Sequence, residues 1–289
     1  MTIFNILTID LEDWFHICGV QPYLPAERWD ALESRVVVNT HAILDILARY
    51  RVIATFFVLG YVAERHPDLI GEIAEQGHEI AVHGYRHQRV YRMSPERFRQ
   101  DLRRAVRAVA PLAGQKINGF RAPEWSIRDD SLWALDILQE EGLRYDSSMA
   151  PLPIIGNPHY ARTPYRRALT HGSLWELPPL VAPTPLGNLP VGGGWGLRVF
   201  PYRLIRDTIR ALNDQGQPAV LFLHPREFDR HPPQASLPLL KRFVIDARIE
   251  RTPKRLARLL DDFKFASIRQ YLDSQPSGHT VGQSNRTAF

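Results

Sequence analysis

Cysteine occurs once in the 289 residues, at Cys18, which excludes an intramolecular disulfide and any cysteine-rich zinc site. Long apolar runs are also missing. The most apolar stretch, Val52 to Ala63, is about 12 residues with Thr55 inside it, short of the roughly 20 that a bilayer-spanning helix needs. The opening MTIFNILTID has no basic region ahead of an apolar one, so no secretory signal is expected. The reading is a cytoplasmic protein, associated with a membrane only through its substrate. Lysine is scarce, 4 against 32 arginines, and the arginines that give the +5 charge are scattered along the whole chain. A nucleic-acid site would gather them into a stripe with interleaved aromatics, so no nucleic-acid partner is expected. The densest basic run, Lys241 to Arg258, alternates with apolar residues as a solvated helix face does.

What is present suits a globular α/β protein. Apolar residues make up 44% and charged residues 23%, enough to bury a full core as two small domains or one large one. Apolar β-type runs alternate with segments of helical period, the signature of a parallel sheet or barrel. Strands are predicted at Ile3 to Asp10, Val52 to Leu59, Glu79 to Val82, Ile117 to Phe120, Leu143 to Tyr145 and Ala219 to Leu223. Helices are predicted from about Val36 to Arg49 and Pro67 to Gln76, from Pro95 with Ser94 as its cap, from a cap at Asp130 to Gly142, and from Thr252-Pro253 through Phe263. Between Pro151 and Pro201 the pattern dissolves into a long Pro- and Gly-rich decorated loop, with a short strand-like stretch at Ser173 to Leu177. No linker precedes Leu272, so a single domain over 1–272 is expected, followed by a disordered polar tail over 273–289.

Several polar residues stand directly at or after the end of a predicted strand: Asp10, His83, Arg121, Asp146 and His224. In a parallel barrel those ends share the carboxyl-end face, where active sites are built. One histidine after a strand is usually a satisfied structural residue, but five converging groups are hard to attribute to chance. His83 and His87 have the His-x-x-x-His spacing that lets two imidazoles reach one metal. Acids to complete such a site follow the first strand, at Glu12 and Asp13, whose bland reading is turn capping. Two imidazoles and one carboxylate would leave positions open for water and substrate, as in a catalytic rather than a structural site.

Taken together, these residues resemble the metal-dependent polysaccharide deacetylases of carbohydrate esterase family 4. Thr8-Ile9-Asp10-Leu11-Glu12-Asp13, His83-Gly84-Tyr85-Arg86-His87, Arg121-Ala122-Pro123-Glu124-Trp125, Tyr145-Asp146-Ser147-Ser148 and Leu221-Phe222-Leu223-His224-Pro225 are similar to that family's five motifs, in order. Asp10 to His16, Glu176-Leu177-Pro178, Gly192-Gly193-Gly194 and His224-Pro225-Arg226-Glu227 resemble more closely the branch encoded with bacterial exopolysaccharide and exosortase loci. The resemblance implies a distorted (β/α)7-type, TIM-like barrel. It also implies a divalent metal, zinc first, with cobalt, nickel or manganese as alternatives. The substrate implied is an N-acetylated glycan, a bacterial polysaccharide or its lipid-linked precursor. In its terms Asp10 is the base with Arg121 as partner, and His224 is the acid, oriented by Asp146. His83 and His87 bind metal, and Pro123, Trp125 and Trp195 line the substrate groove.

One feature departs from the family's commonest first motif: Leu11 separates Asp10 from the next acid. Strand parity favours Glu12 as ligand, because residues two apart point to the same side, while residue type favours Asp13. Both stay open at this point. Three other functions remain compatible with the residues: hydrolysis of a small amide or ring C–N bond on the same fold, O-acetyl ester hydrolysis, and non-catalytic glycan binding. Gly192 to Gly194 lacks the flanking elements and lysine of a phosphate loop.

Overall fold

The computed structural model describes residues 3–17, 19–153, 155–233, 237–238 and 245–275. Cys18, Lys241 and 276–289 of the expected tail lie outside the described residues. The fold is α/β. Eight strands run β1 (Phe4–Leu11), β2 (Thr55–Val58), β3 (Glu79–Val82), β4 (Gly119–Phe120), β5 (Tyr145–Asp146), β6 (Tyr165–Leu169), β7 (Gly172–Glu176) and, after a small hairpin of β8 (Ala182–Thr184) and β9 (Gly187–Leu189), β10 (Val220–Leu223). The sheet order is β10-β1-β2-β3-β4-β5-β7-β6, parallel throughout except where β6 returns antiparallel on β7. A short β11 (Lys264–Ala266) also pairs in parallel with the start of β1.

Between β7 and β10 no strand ladder is formed among the described residues. The chain just after β7 spans that distance instead: the Leu180 N–H donates to the Val220 carbonyl (2.8 Å) and the Phe222 N–H to the Gly192 carbonyl (2.9 Å). The sheet thus curls into the distorted barrel expected. Around it lie α1 (Val36–Tyr50), α2 (Gly60–Arg65), α3 (Pro67–Glu75), α4 (Pro95–Ala113), α5 (Trp133–Glu140), α6 (Gly194–Val199), α7 (Tyr202–Asn213), α8 (Thr252–Asp262) and α9 (Ile268–Asp273). One hydrophobic cluster runs from Leu7 to Phe265, taking apolar faces such as Phe98, Leu102, Ala105 and Val109 of α4 against the sheet. Ser94 caps α4 as its sequence predicts, accepting from the Arg97 N–H at 3.3 Å.

Three expectations need correction. Asp130 does not cap α5; it pairs with Arg128 at 2.8 Å, and the helix starts after Leu132 without a side-chain cap. The decorated loop expected over 151–201 holds more than its one strand-like stretch: it carries two hairpins and α6. Its strand β6, YRRAL, is half exposed and Arg-rich, so it shows no apolar run to read. The chain is helical through Asp273, one residue into the expected tail. No helix among the described residues is long and apolar enough to cross a membrane.

Candidate active site and metal centre

Two of the expected strand-end residues, His83 and Arg121, and the residue after a third, Ser147, are hooked to the neighbouring strand by one more ladder bond. The His83 N–H donates to the Val58 carbonyl (2.9 Å), Arg121 to Val82 (3.0 Å) and Ser147 to Phe120 (3.0 Å). The polar side chains therefore stand on a rigid rim rather than on free loops. Beyond it the backbone turns sharply: His87, Glu124 and Trp125 all hold left-handed conformations, at φ 52°, 55° and 53°. For non-glycine residues that is costly, and such outliers cluster at functional sites.

Glu12, His83 and His87 converge, with one ligand-type atom from each lying within 4.8 Å of the others. Glu12 Oε2 is 2.7 Å from His87 Nε2 and 4.0 Å from His83 Nε2, and all three side chains are buried. His83 Nδ1 lies 2.8 Å from the Arg121 carbonyl, so it is the protonated nitrogen and Nε2 faces Glu12 with a lone pair. Two imidazole nitrogens and a carboxylate buried around one point fit a cation. Burial alone would raise the Glu12 carboxyl, but the imidazoles of His87, His224 and His83 outweigh it and hold it far below the usual range. Burial pushes His83 down to about 4, keeping it neutral and available as a ligand.

Asp13 is elsewhere. Its oxygens accept from the Trp14 N–H (2.9 Å), the Arg35 N–H (3.1 Å) and the Ser34 hydroxyl (2.5 Å), a turn-capping role. His16, also buried, closes the same turn by accepting the Asp13 N–H at 2.9 Å. Of the two acids left open by the sequence, Glu12 alone faces the imidazoles.

Beside this cluster Asp10 and His224 face each other. Arg121 is wholly buried and gives Nη1 to Asp10 Oδ1 at 2.6 Å and to the Thr8 hydroxyl at 2.8 Å. The remaining guanidinium nitrogens go to Ser147, Nε to its carbonyl (3.1 Å) and Nη2 to its hydroxyl (2.7 Å), so this charge is fixed on every side. His224 Nε2 is 3.8 Å from Asp10 Oδ2 and 3.7 Å from Glu12 Oε1, and its side chain is 23% exposed where those of its neighbours are almost sealed. Its other nitrogen, Nδ1, is 3.5 Å from Glu227 Oε1, whose second oxygen accepts the His224 N–H at 3.1 Å. Burial lowers His224, yet Glu227, Glu12 and Asp10 together push it up to about 9.

The expected pairing of Asp146 with His224 is therefore not what the structure shows. Asp146 is the register partner of Glu176 on β7 and accepts from the Ser148 hydroxyl at 2.5 Å. Glu227 holds the position at the histidine. The sequence did carry a signal for it in His224-Pro225-Arg226-Glu227, and another in the triple glycine: a Cβ on Gly194 would fall 1.6 Å from Glu227 Oε2. Trp125 is likewise not an open platform. At 7% exposure it is packed against Arg121 (4.5 Å) and Phe222 (4.9 Å). Pro123 is buried next to the Gly84 turn, whereas Trp195 is 38% exposed and edges Phe200.

Residues 29–145 match the family model described as polysaccharide deacetylase. That segment is similar to the polysaccharide deacetylases. Residues 147–273 match a second model, described as a domain of unknown function, DUF3473. A chitooligosaccharide deacetylase of Sinorhizobium fredii is 38% identical over 104 residues, 35% of this chain and 45% of the relative. The chain spans less than half the length of the first curated relatives it matches. Among solved structures, a Mycobacterium smegmatis protein assigned to the polysaccharide deacetylases matches at 25% identity with a TM-score of 0.63, covering 98% of this chain and 96% of that one. PuuE allantoinase reaches the same TM-score at 16% identity, covering 94% and 91%, and shows the shared fold alone.

Proposed function

We propose that the protein is a metal-dependent hydrolase that removes N-acetyl groups from N-acetylhexosamine units of a bacterial polysaccharide or its lipid-linked precursor. The observation that carries this reading is the juxtaposition of a buried Glu12-His83-His87 cluster with the Asp10–His224 pair, whose side chains approach to 3.8 Å. Glu12, His83 and His87 would hold a divalent ion, zinc first by its affinity for imidazole and carboxylate. When bound, such an ion polarises an acyl carbonyl and acidifies water.

The chain's own residues supply the proton transfers. Asp10, ion-paired with the buried guanidinium of Arg121 at 2.6 Å, accepts a proton from water. His224 is the partly exposed member and is held charged by Glu227, so it can give a proton to the departing amine. Glu227 fixes the ring through Nδ1 and leaves Nε2 to face Asp10. Trp195 offers an exposed ring to a sugar, while Pro123 and Trp125 set the wall behind Arg121. The motif resemblance to the exopolysaccharide branch supports a glycan made for export.

Acetate release from a panel of N-acetylated oligosaccharides, with and without chelator, tests the reading. Release should stop on chelation and return with zinc. Activity that survives chelation excludes the mechanism, and release from ester-linked positions alone would move the substrate to O-acetyl groups.

A further inference from the structure

The carboxyls of Asp146 and Glu176 have no place in the reaction above. They are register partners at the ends of β5 and β7, 0% and 1% exposed, and their side chains face each other. Each keeps one oxygen, Asp146 Oδ2 and Glu176 Oε2, without a donor. An ionised carboxylate can only accept, so two of them facing each other out of water cannot both be charged. One proton between them supplies the missing donor.

The other oxygens are committed to the chain that follows β5. The Ser148 hydroxyl donates to Asp146 Oδ1 (2.5 Å), and the N–H groups of Ser148 and Met149 donate to Glu176 Oε1 (3.2 and 3.0 Å). The turn so held carries the anchors of Arg121: the Ser147 carbonyl and hydroxyl take its guanidinium, and the Ser148 hydroxyl accepts the Ala122 N–H at 2.7 Å.

We propose that Asp146 and Glu176 share a single proton and act as a positioning pair that fixes Ser147 and Ser148 beneath Arg121, and through Arg121 the carboxylate of Asp10. This rests on the deacetylase reading only for its kinetic readout. The charged and titratable groups facing the pair are Arg121 from the end of β4 and Tyr165 from β6. Burial, with Glu176 adding to it, pushes the Tyr165 phenol up to about 12, so it stays neutral, and Arg121 keeps its charge. Burial lifts the Asp146 carboxyl to about 6 and, joined by the Asp146 charge, lifts Glu176 well above the carboxylate range. The shared proton is therefore retained at neutral pH.

Infrared spectra of the full chain at pH 7 should show a protonated-carboxyl band that shifts in D2O and is absent from Glu176→Gln. In that variant the amide N–H2 donates to Asp146 while the carbonyl still accepts from Ser148 and Met149. Glu176→Ala should lower kcat by about tenfold or more, with KM and metal content unchanged, and Glu176→Gln should recover most of the loss. In thermal unfolding, a carboxyl raised in the folded state stabilises fully below its unfolded pKa of about 4 and loses that contribution as pH rises through the folded value. Glu176→Gln should flatten this slope. Wild type without the band, or a folded Glu176→Gln as impaired as Glu176→Ala, overturns the proposal. If no variant and no wild type releases acetate, the deacetylase reading fails while the band and the slope still decide the pair.

Discussion

The two ends of the barrel bury comparable polar groups and treat them in opposite ways. At the amino-end face, Glu79 is 2% exposed, and both its oxygens are satisfied: Oε2 by the Thr55 hydroxyl (2.7 Å) and the Arg269 N–H (2.8 Å), Oε1 by the Tyr145 hydroxyl (2.8 Å). Thr55 in turn accepts the Ile268 N–H at 2.8 Å, tying α9 to β2. At the carboxyl-end face the unpartnered buried atoms include His87 Nδ1, Asp146 Oδ2 and Glu176 Oε2. A satisfied network closes the structure, whereas orphaned acceptors on a rigid rim are places where a cation or a proton belongs. The same strands supply both, Tyr145 and Asp146 being consecutive residues at opposite ends of β5.

The largest effects should come from the carboxyl-end face and leave the fold intact. Asp10→Asn and His224→Ala should each lower kcat by about 10²–10⁴, the worth of one proton transfer, with metal still bound. Glu79→Gln should do the reverse. It sets an amide N–H2 against donor groups, costing about 1–3 kcal/mol, with kcat of the folded enzyme unchanged. Calorimetry beside steady-state kinetics checks both. A Glu79 variant that loses turnover at full stability, or a His224 variant that unfolds, would dissolve the distinction between the two ends.

The sequence exposes the carboxyl-end residues because each terminates an apolar run, and that is why β1, β3 and β10 are read to within about a residue. Strand parity likewise puts Glu12 on the side of Asp10. What it does not carry is which strand ends are neighbours. Asp146 and His224 look alike as strand-end residues, yet β5 and β10 are five steps apart along the sheet, and the β7 neighbour that claims Asp146 is visible only in three dimensions. Of the strands between 151 and 201, β7 is legible as the strand-like Ser173 to Leu177, while β6, β8 and β9 escape for a simpler reason, having no continuous apolar face. Glu227 is a nearer miss: it stands three residues from His224, and the glycine that makes room for it is 33 residues upstream.

A sharper test sets Glu12 against Asp13, adjacent acids with different surroundings. Glu12→Ala should abolish stoichiometric zinc binding measured by calorimetric titration. Asp13→Ala should keep the metal and cost about 0.5–2 kcal/mol through the lost cap of the Trp14 turn. Metal loss in Asp13→Ala would return that residue to the ligand set. The pH axis separates the same groups in the chelated protein. His224 is raised to about 9 against an unfolded value near 6.5. Its contribution to stability is thus fully present below about 6.5 and is lost as pH rises through about 9. Glu227→Gln should narrow that window, because Glu227 is the chief group raising the imidazole.

The smallest expected effect lies at the rim and separates two tryptophans. Trp195 is 38% exposed with its ring edge-on to Phe200, so Trp195→Ala removes a sugar platform and little packing. A loss of about 0.5–1.5 kcal/mol of stacking corresponds to a rise in KM for an oligosaccharide of roughly 2- to 12-fold at constant kcat. Trp125 is enclosed by Arg121, Phe222 and the Ala150-Leu152-Val181 cluster. Trp125→Ala should cost about 3–5 kcal/mol of stability and depress kcat through a loosened Arg121, with less effect on KM. Equal KM changes in both variants would show that the wall behind Arg121 reaches the sugar directly. Equal stability losses would show that Trp195 is packing after all, and would move the glycan-binding surface away from α6.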